Sequence, residues 1–140
     1  MSSDQGNAGP ILLGPGEGRH YPCGRISAVF KADGPETQDR YSVSEWWLEP
    51  QTSGPGAHSH SANDEVFYVI EGEARILVGE EWHAVSKGAF LRISAGVTHD
   101  FENRSDARAG LLNVFLPGGF EKNMPAIVDW FAQNPQEPLA

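Results

Sequence analysis

Apolar residues gather along the chain in short runs, and glycine or proline breaks nearly every interval between them. Ile26–Phe30 and Tyr41–Leu48 are of strand type. Val66–Ile70 and Ala74–Val78 flank Glu71-Gly72-Glu73, a sequence that predicts a tight hairpin. Trp82–Val85, Phe90–Ile93, His99–Glu102 and Leu111–Leu116 complete the series. Strands this short, with turns every eight to twelve residues or so, predict an antiparallel sandwich or barrel. The end of the chain differs. Pro125–Gln133 sets Ile127, Trp130 and Phe131 at i, i+3 and i+4, which predicts an amphipathic helix. The start reads as an irregular arm with Ile11-Leu12-Leu13 as its apolar anchor. The expected organisation is an arm over 1–24, an all-β barrel over 25–120, and a C-terminal helix and tail over 121–140.

Composition narrows the partners. The 140 residues suit one domain, and a chain of that length buries roughly two-thirds of its unfolded surface without staples. Ten basic against nineteen acidic residues leave a formal charge of −9, which disfavours nucleic acid and anionic membranes as partners. With Cys23 as the single cysteine there is no internal disulfide and no cysteine-rich zinc module. No apolar run is long enough to span a bilayer. Met1–Gly6 lacks a basic and an apolar leader region, so no signal peptide is expected and the expected location is cytoplasmic.

The chemistry concentrates in four residues. His58 and His60 stand two apart, and on extended chain such residues share a face, so their imidazoles converge. Glu65 begins the strand that carries Phe67 and Val69 on the same face. If that face is internal, a carboxylate is being buried, which costs several kcal/mol unless it is paired or ligates a metal. His99 follows the turn-forming Ala95-Gly96-Val97. Three imidazoles and one carboxylate suit a divalent first-row metal: iron, manganese, nickel, copper, cobalt or zinc. Taken alone, a His-x-His pair in a Gly/Ser-rich segment is more often a solvated loop. The wider spacing changes that balance.

Gly54–Gly72 resembles the first motif of the cupin superfamily, and Gly88–Asn103 (GAFLRISAGVTHDFEN) resembles the second. The 15 residues from Glu73 to Lys87 match the short spacer of small single-domain cupins. Ser94 departs from the pattern where the second motif usually has proline, a turn-shaping position that binds nothing. The resemblance implies a jelly-roll β-barrel holding a metal through His58, His60, Glu65 and His99. The segment from Gly16 to Glu45 and the run Leu116–Glu121 are similar to those of quercetin-2,3-dioxygenase-like bacterial cupins. In that group the metal binds a substrate enolate and oxygen cleaves the ring, while the glutamate matching Glu65 ligates and carries a proton. The expected function is therefore a metal-dependent dioxygenase of a small enolisable or phenolic compound, with dioxygen as co-substrate. An oxygen-independent isomerase, cyclase or lyase, or a non-catalytic binding cupin, is the alternative, because one fold serves many reactions. A related lyase uses a tyrosine two residues after the glutamate. Here that position is Phe67, and Tyr68 has the opposite parity.

The remaining aromatic residues read mainly as core. Of the adjacent Trp46 and Trp47 one faces inward; an ordinary core or interface aromatic is its commoner role, and it is also a candidate for the wall of a substrate pocket, with Phe67, Phe101 and Phe115 as further candidates. Cys23 reads as a buried filler, and His20 and His83 as surface residues. The Trp130/Phe131 face either caps the barrel mouth or packs across a dimer. A homodimer is expected, with Ile11–Leu13 available to a partner's sheet edge.

Overall fold

The structure, a computed structural model, describes residues 9–139. The leader reading made on Met1–Gly6 lies outside them. Among the described residues nine strands run in chain order: β1 (Arg19–Cys23), β2 (Ile26–Ala32), β3 (Ser42–Leu48), β4 (Asp64–Glu71), β5 (Glu73–Val78), β6 (Glu81–Ser86), β7 (Phe90–Ile93), β8 (His99–Glu102) and β9 (Ala109–Leu116). Among the described residues a single α-helix, α1 (Met124–Gln133), follows a short 3-10 turn at Phe120–Asn123. The strands form two antiparallel sheets, a six-stranded one ordered β1-β2-β3-β9-β4-β7 and a three-stranded one ordered β6-β5-β8. The sheets face each other without closing into one continuous barrel. Among the described residues no helix is long and apolar enough to cross a membrane.

The side-chain period of two decides which residues fill the space between the sheets. In β3, Ser42, Ser44, Trp46 and Leu48 are buried while their neighbours are half-buried. In β4 the buried set is Glu65, Phe67 and Val69, and Tyr68 is 43% exposed on the outer face. Ala74 and Ile76 of β5 and Phe101 of β8 close the same core from the opposite sheet. Phe131 and Met124 of α1 are buried against it, which covers one end of the sandwich.

Two expectations are corrected. Glu71-Gly72-Glu73 is not a hairpin, because β4 pairs with β9 and β7 while β5 pairs with β6 and β8. Only Gly72 separates the two strands, and one residue is shorter than the loop of a tight hairpin. Instead Gly72, at φ +74°, turns the chain from one sheet to the other. A Cβ there would lie 2.6 Å from the Arg108 carbonyl oxygen, so glycine is required on two grounds. β5 instead forms a two-residue hairpin with β6 through Gly79-Glu80. The second correction concerns the arm, which is irregular only as far as Gly18. Arg19–Cys23 pair with β2 as an edge strand. Their polar sequence shows no alternation, and Pro22 is tolerated because a sheet edge does not need its missing N–H.

Candidate metal centre

Three local arrangements bring the four polar residues together. The loop after β3 runs beside β8, and His58 and His99 form an isolated antiparallel bridge with N–H to O=C distances of 3.0 and 2.7 Å. That bridge sets the two imidazoles 4.4 Å apart between ring centres. His60, two residues on, projects to the same side with its ring centre 5.1 Å from that of His58. Glu65 enters from β4 of the facing sheet, inward by strand parity and only 5% exposed. Each of the four offers a ligand atom, and these atoms all lie within 4.8 Å of one another.

The hydrogen bonds around the cluster leave its inner atoms free. His58 Nδ1 bonds the Gly56 carbonyl at 2.7 Å and His99 Nδ1 bonds the Val97 carbonyl at 2.9 Å. A carbonyl only accepts, so both Nδ1 atoms carry the proton and both Nε2 atoms present lone pairs. Asn113 Nδ2 donates to Glu65 Oε1 at 3.1 Å, which leaves Oε2 facing the imidazoles. His99 Nε2 lies 2.5 Å and His60 Nε2 3.5 Å from that Oε2. None of the three atoms has a hydrogen-bond partner, although all are buried. The 2.5 Å approach of a lone pair to a carboxylate oxygen is repulsive unless a cation, proton or metal, is shared between them. Burial opposes charge on His99, but the contact with Glu65, the Val97 carbonyl and nearby Asp100 outweigh it and raise its pKa. Burial dominates at His60, whose pKa is lowered despite Glu65, with His58 and His99 adding to the effect. Three imidazoles and one carboxylate are the donor set a divalent transition metal takes, and the residues fit such an ion.

The turn before His99 is secured without the proline of the motif pattern. Asp64 Oδ1 accepts from the Ala95 N–H at 2.9 Å, and the Gly96 N–H bonds the His60 carbonyl at 2.8 Å.

Three of the four, His58, His60 and Glu65, line a hollow. A chamber of about 30 Å³ is lined by Trp46, Phe67, Phe101, Phe115 and Phe120 together with His58, His60, Glu65 and Asn113. Outside it lies a cavity of about 340 Å³ walled by Ile26, Trp46, Phe101, Phe120, Ile127 and Trp130, with His58 and His60 at its floor. Four of the five aromatic residues singled out from sequence thus line the chamber. Trp47 does not: strand parity turns it to the outer face, where Arg108 stacks over it at 4.5 Å. Cys23 is fully buried, and burial pushes its thiol pKa up to about 11. Asn113 and Phe120 escaped the sequence reading. Asn113 had a signal, since it shares the inward parity of Leu111 and Phe115 in an otherwise apolar strand. Phe120 had none, because a residue on an irregular turn has no parity to read.

A cupin-domain family model matches residues 44–115, so the sandwich with its His58/His60/Glu65/His99 cluster is a cupin: the chain belongs to that family. Over 113 residues, 78% of this chain and 32% of the relative, it is 27% identical to quercetin 2,3-dioxygenase of Bacillus subtilis. It is 42% identical to an uncharacterized protein of Streptomyces coelicolor over 56 residues, 40% of this chain and 52% of the relative. The chain therefore spans about half or less of the length of these curated relatives. Among solved structures, KdgF from a Halomonas species superposes with a TM-score of 0.70 at 15% identity, covering 81% of this chain and 98% of that one.

Proposed function

We propose that the protein is a metal-dependent dioxygenase of small, neutral, enolisable or phenolic compounds of flavonol or diketone type. One observation carries this reading: three buried polar atoms without hydrogen-bond partners, on His60, His99 and Glu65, converge beside a cavity walled by aromatic side chains, with His58 and His60 at its floor. The similarity to quercetin 2,3-dioxygenase of Bacillus subtilis supports it. His58, His60, Glu65 and His99 would hold one divalent transition metal, whose chemistry is to lower the pKa of a substrate hydroxyl and stabilise the resulting enolate. Glu65, whose Oε2 faces the imidazoles, is the candidate base for the hydroxyl proton. Asn113 restrains the other oxygen of that carboxylate, which keeps Oε2 turned toward the imidazoles. Trp46, Phe101 and Phe120 present ring faces and edges to a planar ligand and exclude water from the chamber. The exposed arm segment, with Leu12 96% exposed, supports a homodimer within the same reading.

The test is oxygen uptake by protein loaded in turn with iron, manganese, nickel, copper, cobalt and zinc, against a panel of flavonols and β-diketones. Uptake with at least one metal, lost in His99→Ala, is the expected result. Equal turnover under strict anaerobiosis would transfer the reading to an isomerase, cyclase or lyase acting through the same enolate. Ligand binding without any turnover would leave a binding cupin.

A further inference from the structure

Each polar group at the centre needs something to hold its orientation, and the four differ in what holds them. Asn113 fixes Glu65, and His99 is buried in β8 with Nδ1 on the Val97 carbonyl. His60 is packed edge-on against Phe115 and Phe120, with ring centres 4.9 and 5.6 Å away. His58 is held differently. It is only half-buried, and its Nδ1 bonds the carbonyl of Gly56 on an exposed loop. Gly56 itself sits at φ +103° with nothing within 4 Å of where a Cβ would be, so packing does not fix that peptide. Asp100 does. Its Oδ1 accepts from the Gly56 N–H at 3.2 Å and from the Phe101 N–H at 2.8 Å. The same carboxylate oxygen would lie 2.6 Å from a Cβ on Gly54, so the loop presses onto β8 at this point.

We propose that Asp100 is a positioning residue for the metal centre, fixing through Gly56 the orientation of the His58 imidazole. This rests on the metal reading above and adds a group to it. Asp100 is the residue after His99, and strand alternation turns it away from the ligand cluster as His99 turns in. One β8 dipeptide therefore serves two ligands: His99 as a ligand itself, and Asp100 as the anchor for the loop that aims His58. Without the anchor, Gly56 is free to rotate, the carbonyl leaves Nδ1, and His58 Nε2 samples directions away from the other ligands. The motif spacing gives no hint of this role, because the acceptor and the histidine it serves are 42 residues apart in the chain.

The experiment measures Co(II) affinity by chelator competition and records the visible spectrum of the Co(II)-loaded protein for wild type, Asp100→Ala, Asp100→Ser and Asp100→Asn. Melting of each metal-free variant reports folding. Loss of a ligand-orienting partner costs about 10–100-fold in metal affinity. Asp100→Ala is expected to lose that much and to shift its Co(II) bands. Asp100→Asn, which keeps an acceptor at the same reach, is expected to stay within about threefold of wild type with an unchanged spectrum. Asp100→Ser, too short to reach Gly56 but polar, should follow Asp100→Ala, and it carries the test if the alanine variant does not fold. Co(II) binding by both short variants within threefold of wild type, with unshifted bands, would overturn the proposal, as would an asparagine variant as weak as alanine. A wild-type protein that binds no Co(II) would instead overturn the metal reading, and this inference with it.

Discussion

Cys23 and Asn113 illustrate how burial gives single residues opposite roles. Asn113 is 3% exposed in an apolar strand, yet it is satisfied: Nδ2 reaches both Glu65 Oε1 and the Val66 carbonyl, at 3.1 and 3.3 Å. Its place in the core is explained by what it restrains. Cys23 is equally buried, and nothing charged lies close enough to favour its thiolate, so desolvation alone raises its pKa from 9.0 to about 11. The consequence for stability has a definite sign. The folded thiol keeps its proton to a higher pH than the unfolded one, so its contribution is complete below pH 9 and is lost as pH rises through about 11. Denaturant unfolding followed from pH 8 to pH 10.5 should show a loss of stability that is smaller in Cys23→Ala than in wild type. Equal pH slopes in the two proteins would contradict it.

At the level of elements, the link between β4 and β5 decides the architecture. Every other connection between sequential strands among the described residues is two residues or longer; this one is a single glycine that sends the chain from one sheet to the other. Gly72→Ala would have to adopt φ +74° and place a methyl 2.6 Å from the Arg108 carbonyl oxygen. The expected cost is about 1–3 kcal/mol, read as a lower midpoint in denaturant with the slope unchanged. An alanine variant as stable as wild type would mean that the crossing tolerates a Cβ. The 3-10 turn at Phe120–Asn123 matters in a different way. It stacks Phe120 on Phe115 at 4.5 Å with rings nearly parallel, which makes a residue outside the sandwich part of the chamber wall.

For the whole molecule, the metal centre couples the two sheets. Glu65 belongs to the six-stranded sheet and His99 to the three-stranded one, while the loop carrying His58 and His60 runs between them. An ion held by all four would bind the folded chain and not the unfolded one. At a hundredfold excess over its dissociation constant, such binding stabilises by about 2.7 kcal/mol, or roughly 5–10 °C in Tm for a chain of this length. Calorimetry with and without a divalent transition metal should show that rise. EDTA should reverse it, and His99→Ala should lack it while melting as a folded protein. A Tm indifferent to metal would argue against a shared centre.

The boundaries of most strands and of the helix could be read from the chain because local pattern dictates them. Period-two burial placed Glu65 inward and Tyr68 outward, and period 3.6 marked Ile127 and Phe131. The four polar residues of the centre were legible for the same reason, since a carboxylate on an apolar face and two histidines two apart each stand out against a local period. The edge strand β1 escaped because an edge needs neither alternation nor every N–H, so its sequence carries no strand signal. Strand partners escaped because they are chosen by the surface each strand can cover at long range: Gly72 looked like a hairpin turn until β9 and β8 competed for its neighbours. Asp100, Asn113 and Phe120 belong to that second group. Their roles depend on residues 44, 48 and 60 positions away in the chain (Gly56, Glu65 and His60), and only the packed sandwich brings those distances down to contact.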